Sequence, residues 1–165
     1  MIRAIRRTAT RRRLRRAGML LVAVAALALP TQALAGTLVP YGGSDSGSFV
    51  LGAGPCASGF IPLDINGSGR ATHLGNYAYH ADECFDGVSA FYGVFTITAA
   101  NGDMIFATYS GTAAADLSGY AETAVVAGGT GRFAGAEGEF EVSGLITGPT
   151  TYSQTMSGTL SSPGS

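Results

Sequence analysis

Turn chemistry recurs along this chain at strand-length intervals, and that cadence constrains the fold more than any single motif. Ser-Gly pairs begin at Ser46, Ser58, Ser68, Ser110, Ser118, Ser143 and Ser157, and Asn66-Gly67, Asp86-Gly87 and Asn101-Gly102 fall among them. Asn-Gly and Asp-Gly supply the positive φ angles of tight hairpin turns, and glycine this frequent weakens any long helix. Between the turns lie short runs rich in β-branched and aromatic residues. We read strands over Gly47–Leu51, Gly59–Ile65, Arg70–His80, Val88–Thr98, Met104–Gly111, Gly119–Val126, Gly138–Thr147 and Tyr152–Leu160. Eight strands so spaced predict an all-β domain, a closed antiparallel barrel or a sandwich. In this reading Asn66-Gly67 is a hairpin turn, and its overlap with the sequon Asn66-Gly67-Ser68 is incidental. The seventh strand alternates most cleanly, with Phe140, Val142 and Ile146 on one face and Glu137, Glu139 and Glu141 on the other. Val88–Thr98 is apolar on both faces: Phe91, Phe95 and Ile97 point one way, Val88, Tyr92 and Val94 the other. Its outer face is expected under a second layer or against another subunit.

The N-terminus has a different logic. Arg3, Arg6, Arg7, Arg11, Arg12, Arg13, Arg15 and Arg16 form a basic stretch, Gly18–Leu29 an apolar one, and Ala33-Leu34-Ala35 a cleavage signal. Residues 1–35 read as a secretory signal peptide, with Thr10-Arg11-Arg12-Arg13-Leu14 leaving twin-arginine export open beside the general route. The protein is therefore expected to be secreted by a bacterium, with a barrel domain over residues 36–160 and a disordered tail over 161–165. Beyond residue 35 only Arg70 and Arg132 stand against eleven carboxylates, a net of −9. Such a field repels phosphate and anionic lipid, so neither nucleic acid nor a membrane surface is an expected partner. No later run is long enough to insert as a spanning helix. Cys56 and Cys84, both in the exported part, are expected to pair as a disulfide.

The run Gly128-Gly129-Thr130-Gly131-Arg132-Phe133-Ala134-Gly135-Ala136-Glu137-Gly138 contains a G-x-G-x-x-A fingerprint. A dinucleotide needs that turn to open a helix whose N-terminus receives the pyrophosphate. Here Glu139-Phe140-Glu141-Val142 follows, which is strand alternation with repelling carboxylates. No nucleotide, and no other cofactor, is expected. The glycines instead mark a corner between two strands, with Phe133 as a plug for one end of the core. Together with the preceding strand, this segment (Glu122–Gly138) resembles the signature of the allene oxide cyclase barrel superfamily, of which plant dirigent proteins carry a related version. The resemblance rests on Gly128, Gly129, Thr130, Gly131, Phe133, Gly135, Ala136 and Gly138, and Thr72-His73-Leu74-Gly75 and Ala99–Asp103 are similar to secreted bacterial members. It implies an eight-stranded antiparallel β-barrel, often a homotrimer, with an interior cavity for hydrophobic ligands. The cyclases carry a glutamate on their first strand. The first strand expected here has none, so no catalytic residue is carried over.

The site candidates are few. His73, Tyr77 and Tyr79 share strand parity and, facing inward, would place polar groups in an apolar cavity; Glu122 is the best acid beside it. They are the expected ligand-binding residues for a small hydrophobic or amphipathic molecule. The alternatives are an isomerase or cyclase using the same groups, or a non-catalytic surface protein. His73 and His80 have opposite parity, which argues against a two-histidine metal site. Asp82, Glu83 and Asp86 read as a solvated acidic loop without calcium-binding spacing. Ser44-Asp45-Ser46-Gly47 echoes a serine-protease loop, with no histidine before it to serve as base.

Overall fold

The computed structural model describes residues 37–161. They form an eight-stranded antiparallel β-barrel, closed by pairing of the first strand with the last. The strands are β1 (Leu38–Leu51), β2 (Ile61–Ala71), β3 (Gly75–Phe85), β4 (Ala90–Ala99), β5 (Met104–Ala113), β6 (Gly119–Gly129), β7 (Gly138–Gly148) and β8 (Thr151–Ser161), each paired with its neighbours in sequence. The expected signal peptide and the residues beyond Ser161 lie outside the described part. Ser161 itself ends β8, buried, and exchanges hydrogen bonds with Glu137, so this strand runs one residue beyond the expected Leu160.

Two elements differ from the sequence reading. β1 begins nine residues earlier than expected, at Leu38 rather than Gly47. Asn66-Gly67 lies inside β2, opposite His80 and Tyr79, and the β2–β3 turn falls at residues 72–74 instead. The second departure has a physical cause. Inward glycines here make room for aromatic rings from other strands: a Cβ on Gly67 would meet the Tyr152 hydroxyl, and one on Gly144 would meet the Tyr120 ring. A glycine that serves an interior ring reads, in sequence, like a glycine that serves a turn.

Alternation puts one face of every strand in the lumen. The end holding residues 72–74, 100–103 and 130–137 is closed. Phe133, Phe140, Ile97, Ile105 and Leu160 fill it, each 2% exposed or less, with Leu74 beside them and Tyr41 stacked on Phe140 at 4.2 Å. The glycine run forms this corner as anticipated: a single 3-10 turn, Gly131–Phe133, follows β6, and β7 follows that. Gly131 and Gly135 adopt φ of 56° and 73°, which side-chain-bearing residues rarely tolerate. Arg132 covers the Phe133 ring at 4.8 Å and reaches Asp103 at 3.6 Å.

At the opposite end the long β1–β2 connection, residues 52–60, lies against the outer wall. The Cys56–Cys84 disulfide ties it to the outward face of β3, and Phe60 meets the Tyr92 ring edge-on at 5.1 Å. This is the second layer expected over β4, and it reaches only Tyr92. Val94 remains exposed, with Phe106 and Val125 on the adjoining strands. Val88 precedes β4, in the bend between the two strands.

Candidate functional site

Above the packed end the lumen opens into a cavity of about 460 Å³. Its mouth is apolar: Phe49, Leu51, Ile61, Leu63, Phe85 and Ile146 ring it. Its floor is polar. Tyr79 and Glu83 reach it from β3, Tyr109 from β5, Tyr120 and Glu122 from β6, and Tyr152 and Gln154 from β8. The register explains the convergence, since every one of these positions shares parity with buried residues of its own strand.

Hydrogen bonds tie most of the floor together. Tyr77 Oη and Gln154 Nε2 both donate to Asp45 Oδ2, at 2.8 and 3.0 Å, and Tyr120 Oη donates to Gln154 Oε1 at 2.7 Å. Tyr109 Oη donates to Glu83 Oε2 at 3.1 Å. Four buried oxygens have no protein partner: Glu122 Oε1, Asp45 Oδ1 and the hydroxyls of Tyr41 and Tyr152. A buried polar atom left unpaired costs roughly 1–3 kcal/mol. Glu122, 6% exposed, is the sharpest case, because it faces the cavity and none of its neighbours bonds it there.

Burial sets the charge state. It raises Glu122 to about 8, assisted by the nearby carboxyls of Glu83 and Asp45. It raises Glu83 to about 7 against the opposing bond from Tyr109. Asp45 is raised by burial as well, partly offset by its bonds from Gln154 and Tyr77. The tyrosines are pushed up by the same desolvation and keep their protons. Near neutral pH the cavity therefore holds protonatable acids in a place where water is scarce.

Of the expected site residues, Tyr79 and Glu122 line the cavity. Tyr77 is buried just below it and acts through Asp45. His73 does not join them. It sits in the β2–β3 turn at the closed end, exposed, with φ of 64° and its ring against the Pro40 carbonyl. The parity argument assumed a strand through residue 73, and the chain turns there. His80 lies on the outer wall between Asp64 and Asp82. The acidic loop resolves into three separate roles: Asp82 faces out, Glu83 faces in, and Asp86 accepts backbone N–H bonds from Val88, Ser89 and Ala90 to shape the turn. Among the described residues no cluster of His, Cys, Asp and Glu could hold a metal ion.

Sequence reasoning missed Asp45 and Glu83. Glu83 shares parity with Tyr77 and Tyr79, a usable signal; Asp45 shares parity with Tyr41 once β1 is extended back to Leu38. The extended strand thus supplies an inward carboxylate that the shorter expected one lacked. A larger depression on the outer wall, about 920 Å³, is bordered by Ser44, Ser68, Arg70, Asn76 and Ser153. It is shallow and open, so the lumen is the better enclosure for a ligand.

No family model matches the sequence, and no curated protein sequence matches it. Among solved structures, the fold is similar to that of a pterocarpan synthase dirigent protein, at a TM-score of 0.57 and 12% identity over 81% of this chain and 90% of that one. The likeness is one of fold: a dirigent-like barrel.

Proposed function

We propose that the open end of this barrel binds a small amphipathic molecule, apolar body in the mouth and polar group on the floor. The observation that carries this reading is Glu122 Oε1, buried and unpartnered at the base of a preformed cavity. Natural interiors pair such atoms, and a ligand is the partner this one lacks. Preformed apolar cavities with a few placed polar groups are the ordinary form of a small-molecule site. The test is native mass spectrometry after incubation with a library of hydrophobic metabolites. Retention should disappear in Ala113→Phe, which fills the lumen. A wild-type protein that retains nothing would sink the proposal.

A second reading is an isomerase or cyclase. What favours it is the pair Glu83 and Glu122, raised to about 7 and about 8, so that one can give a proton while the other takes one in a dry site. In that case Glu122→Gln keeps ligand affinity and abolishes turnover; a variant that converts ligand at the wild-type rate removes this reading. The barrel of similar fold is that of a pterocarpan synthase dirigent protein, and by analogy a synthase-type activity belongs to this second reading. The exposed apolar residues Val94, Phe106 and Val125 form the surface on which a homotrimer would assemble. Sedimentation as a monomer would count against that assembly. Export is compatible with the disulfide and with the lack, among the described residues, of a helix long and apolar enough to cross a membrane.

A further inference from the structure

The cavity contains acids and aromatic rings and no base. Glu83 and Glu122 line it, with Asp45 beneath. Neither arginine of the described residues reaches it: Arg132 lies at the closed end against Asp103, and Arg70 borders the outer depression. Both histidines are outside. Aromatic rings line the same cavity, with Phe91 edge-on to Tyr120 at 5.9 Å and tilted to Tyr109 at 6.2 Å. Two of the four orphaned oxygens, Glu122 Oε1 and Asp45 Oδ1, belong to carboxyl groups.

We propose that the ligand is an organic ammonium: an apolar body filling the mouth and a cationic head held by Glu122 and Glu83 within the aromatic rings. This rests on the binding role proposed above and names its ligand class. Each alternative head group leaves something unmet. A carboxylate would bring a negative charge into a buried, cation-free cavity and hold the acids in their neutral form. A neutral hydroxyl satisfies one orphaned oxygen and gains nothing from the rings. An ammonium donates to the free carboxyl oxygen, neutralises it, and is attracted by the aromatic faces.

Proton balance follows from the same geometry. The groups facing Glu122 are the carboxyls of Glu83 from β3 and Asp45 from β1, and the hydroxyls of Tyr79, Tyr109, Tyr120 and Tyr152. None is cationic, so Glu122 is largely protonated before the ligand arrives. Ammonium plus carboxylic acid then becomes an ammonium–carboxylate pair and one released proton. Binding and ionisation are linked, and affinity rises as pH increases towards the carboxyl's own value.

The experiment is isothermal titration of the purified protein with phenylbutylamine, phenylbutanol and phenylbutyrate, which share one apolar body. At neutral pH the amine should bind at least roughly tenfold more tightly than the alcohol, and the carboxylate most weakly. Amine enthalpies measured in buffers of different ionisation enthalpy should report release of about one proton. Glu122→Gln, shown to be folded by its circular dichroism, should lose that buffer dependence and at least about tenfold of amine affinity, while alcohol affinity stays within about threefold. An alcohol that matches the amine, or amine binding that survives Glu122→Gln unchanged, overturns the ammonium assignment and leaves the amphipathic pocket standing. If none of the three binds and the metabolite library is also not retained, both proposals fall.

Discussion

At one end of the lumen Phe133, Phe140, Leu160, Ile97 and Ile105 interlock and leave no polar atom of their side chains to satisfy. At the other, the same strands present Glu83, Tyr109, Tyr120, Glu122 and Gln154 around empty space. The backbone is continuous between them, and the strand pairing does not change. What changes is how the interior positions are filled. The closed end is packed by large apolar side chains and a corner segment. The open end alternates glycines with tyrosines, so rings cross the lumen and hold acids between them. Stability is concentrated where packing is dense; the proposed ligand site lies where buried polar atoms lack partners.

That division can be broken by experiment. The largest effect is expected from Phe133→Ala, which should lower unfolding free energy by about 3–5 kcal/mol. Urea denaturation measures it, and the folded fraction should retain ligand as before. If retention falls while stability holds, the two ends are not separate. Replacing Cys56 and Cys84 together with alanine removes a tether across 28 residues and should cost about 3–4 kcal/mol on the chain-entropy account. Hydrogen exchange should quicken first in residues 52–60, with β7 at the closed end staying protected.

A third effect belongs to the open end alone. Glu122 has a folded value of about 8 against an ordinary 4.5, so between those values the folded protein holds more protons than the unfolded chain. The Glu122 contribution to stability is therefore fullest below pH of about 4.5 and is lost as pH rises to about 8, and Glu83 adds to the slope below about 7. Thermal melts at stepped pH would show it, and Glu122→Gln should flatten most of it. A protein that instead gains stability over this window would show that the carboxyls are solvated and the cavity wet. The smallest effect is at the rim. Leu117 borders the cavity with φ of 56° and is 45% exposed, so Leu117→Gly should relieve backbone strain and raise stability by about 0.5–1 kcal/mol. A lowered melting temperature would mean that its side chain packs more than its exposure suggests.

How much of this was legible in the sequence follows the same division. The closed end could be read: β7 alternates as Glu139, Phe140, Glu141 and Val142 demand, the corner carries its glycines, and Phe133 is the one large apolar side chain available to plug it. The disulfide followed from the expected export and the presence of just two cysteines. The open end resisted. Gly67 serves a ring across the closure of the barrel and Gly144 one on the paired strand β6, information that no local window contains. Asp45 and Glu83 looked like surface residues because carboxylates are seldom buried. His73 looked like an interior residue because a turn centred on Thr72-His73-Leu74 lacks the Asn-Gly chemistry by which other turns announced themselves.

The tethered connection has one more consequence, for exchange rates. Residues 52–60 are the longest connection at the mouth and the segment best able to fold across it, yet Cys56–Cys84 and the Phe60–Tyr92 contact hold them on the outer wall. For the proposed ligand, entry and exit would then need no slow opening step ahead of them. Its residence time would be set by the contacts inside the lumen, a tighter ligand leaving more slowly in proportion to its affinity, with arrival rate nearly constant across a chemical series.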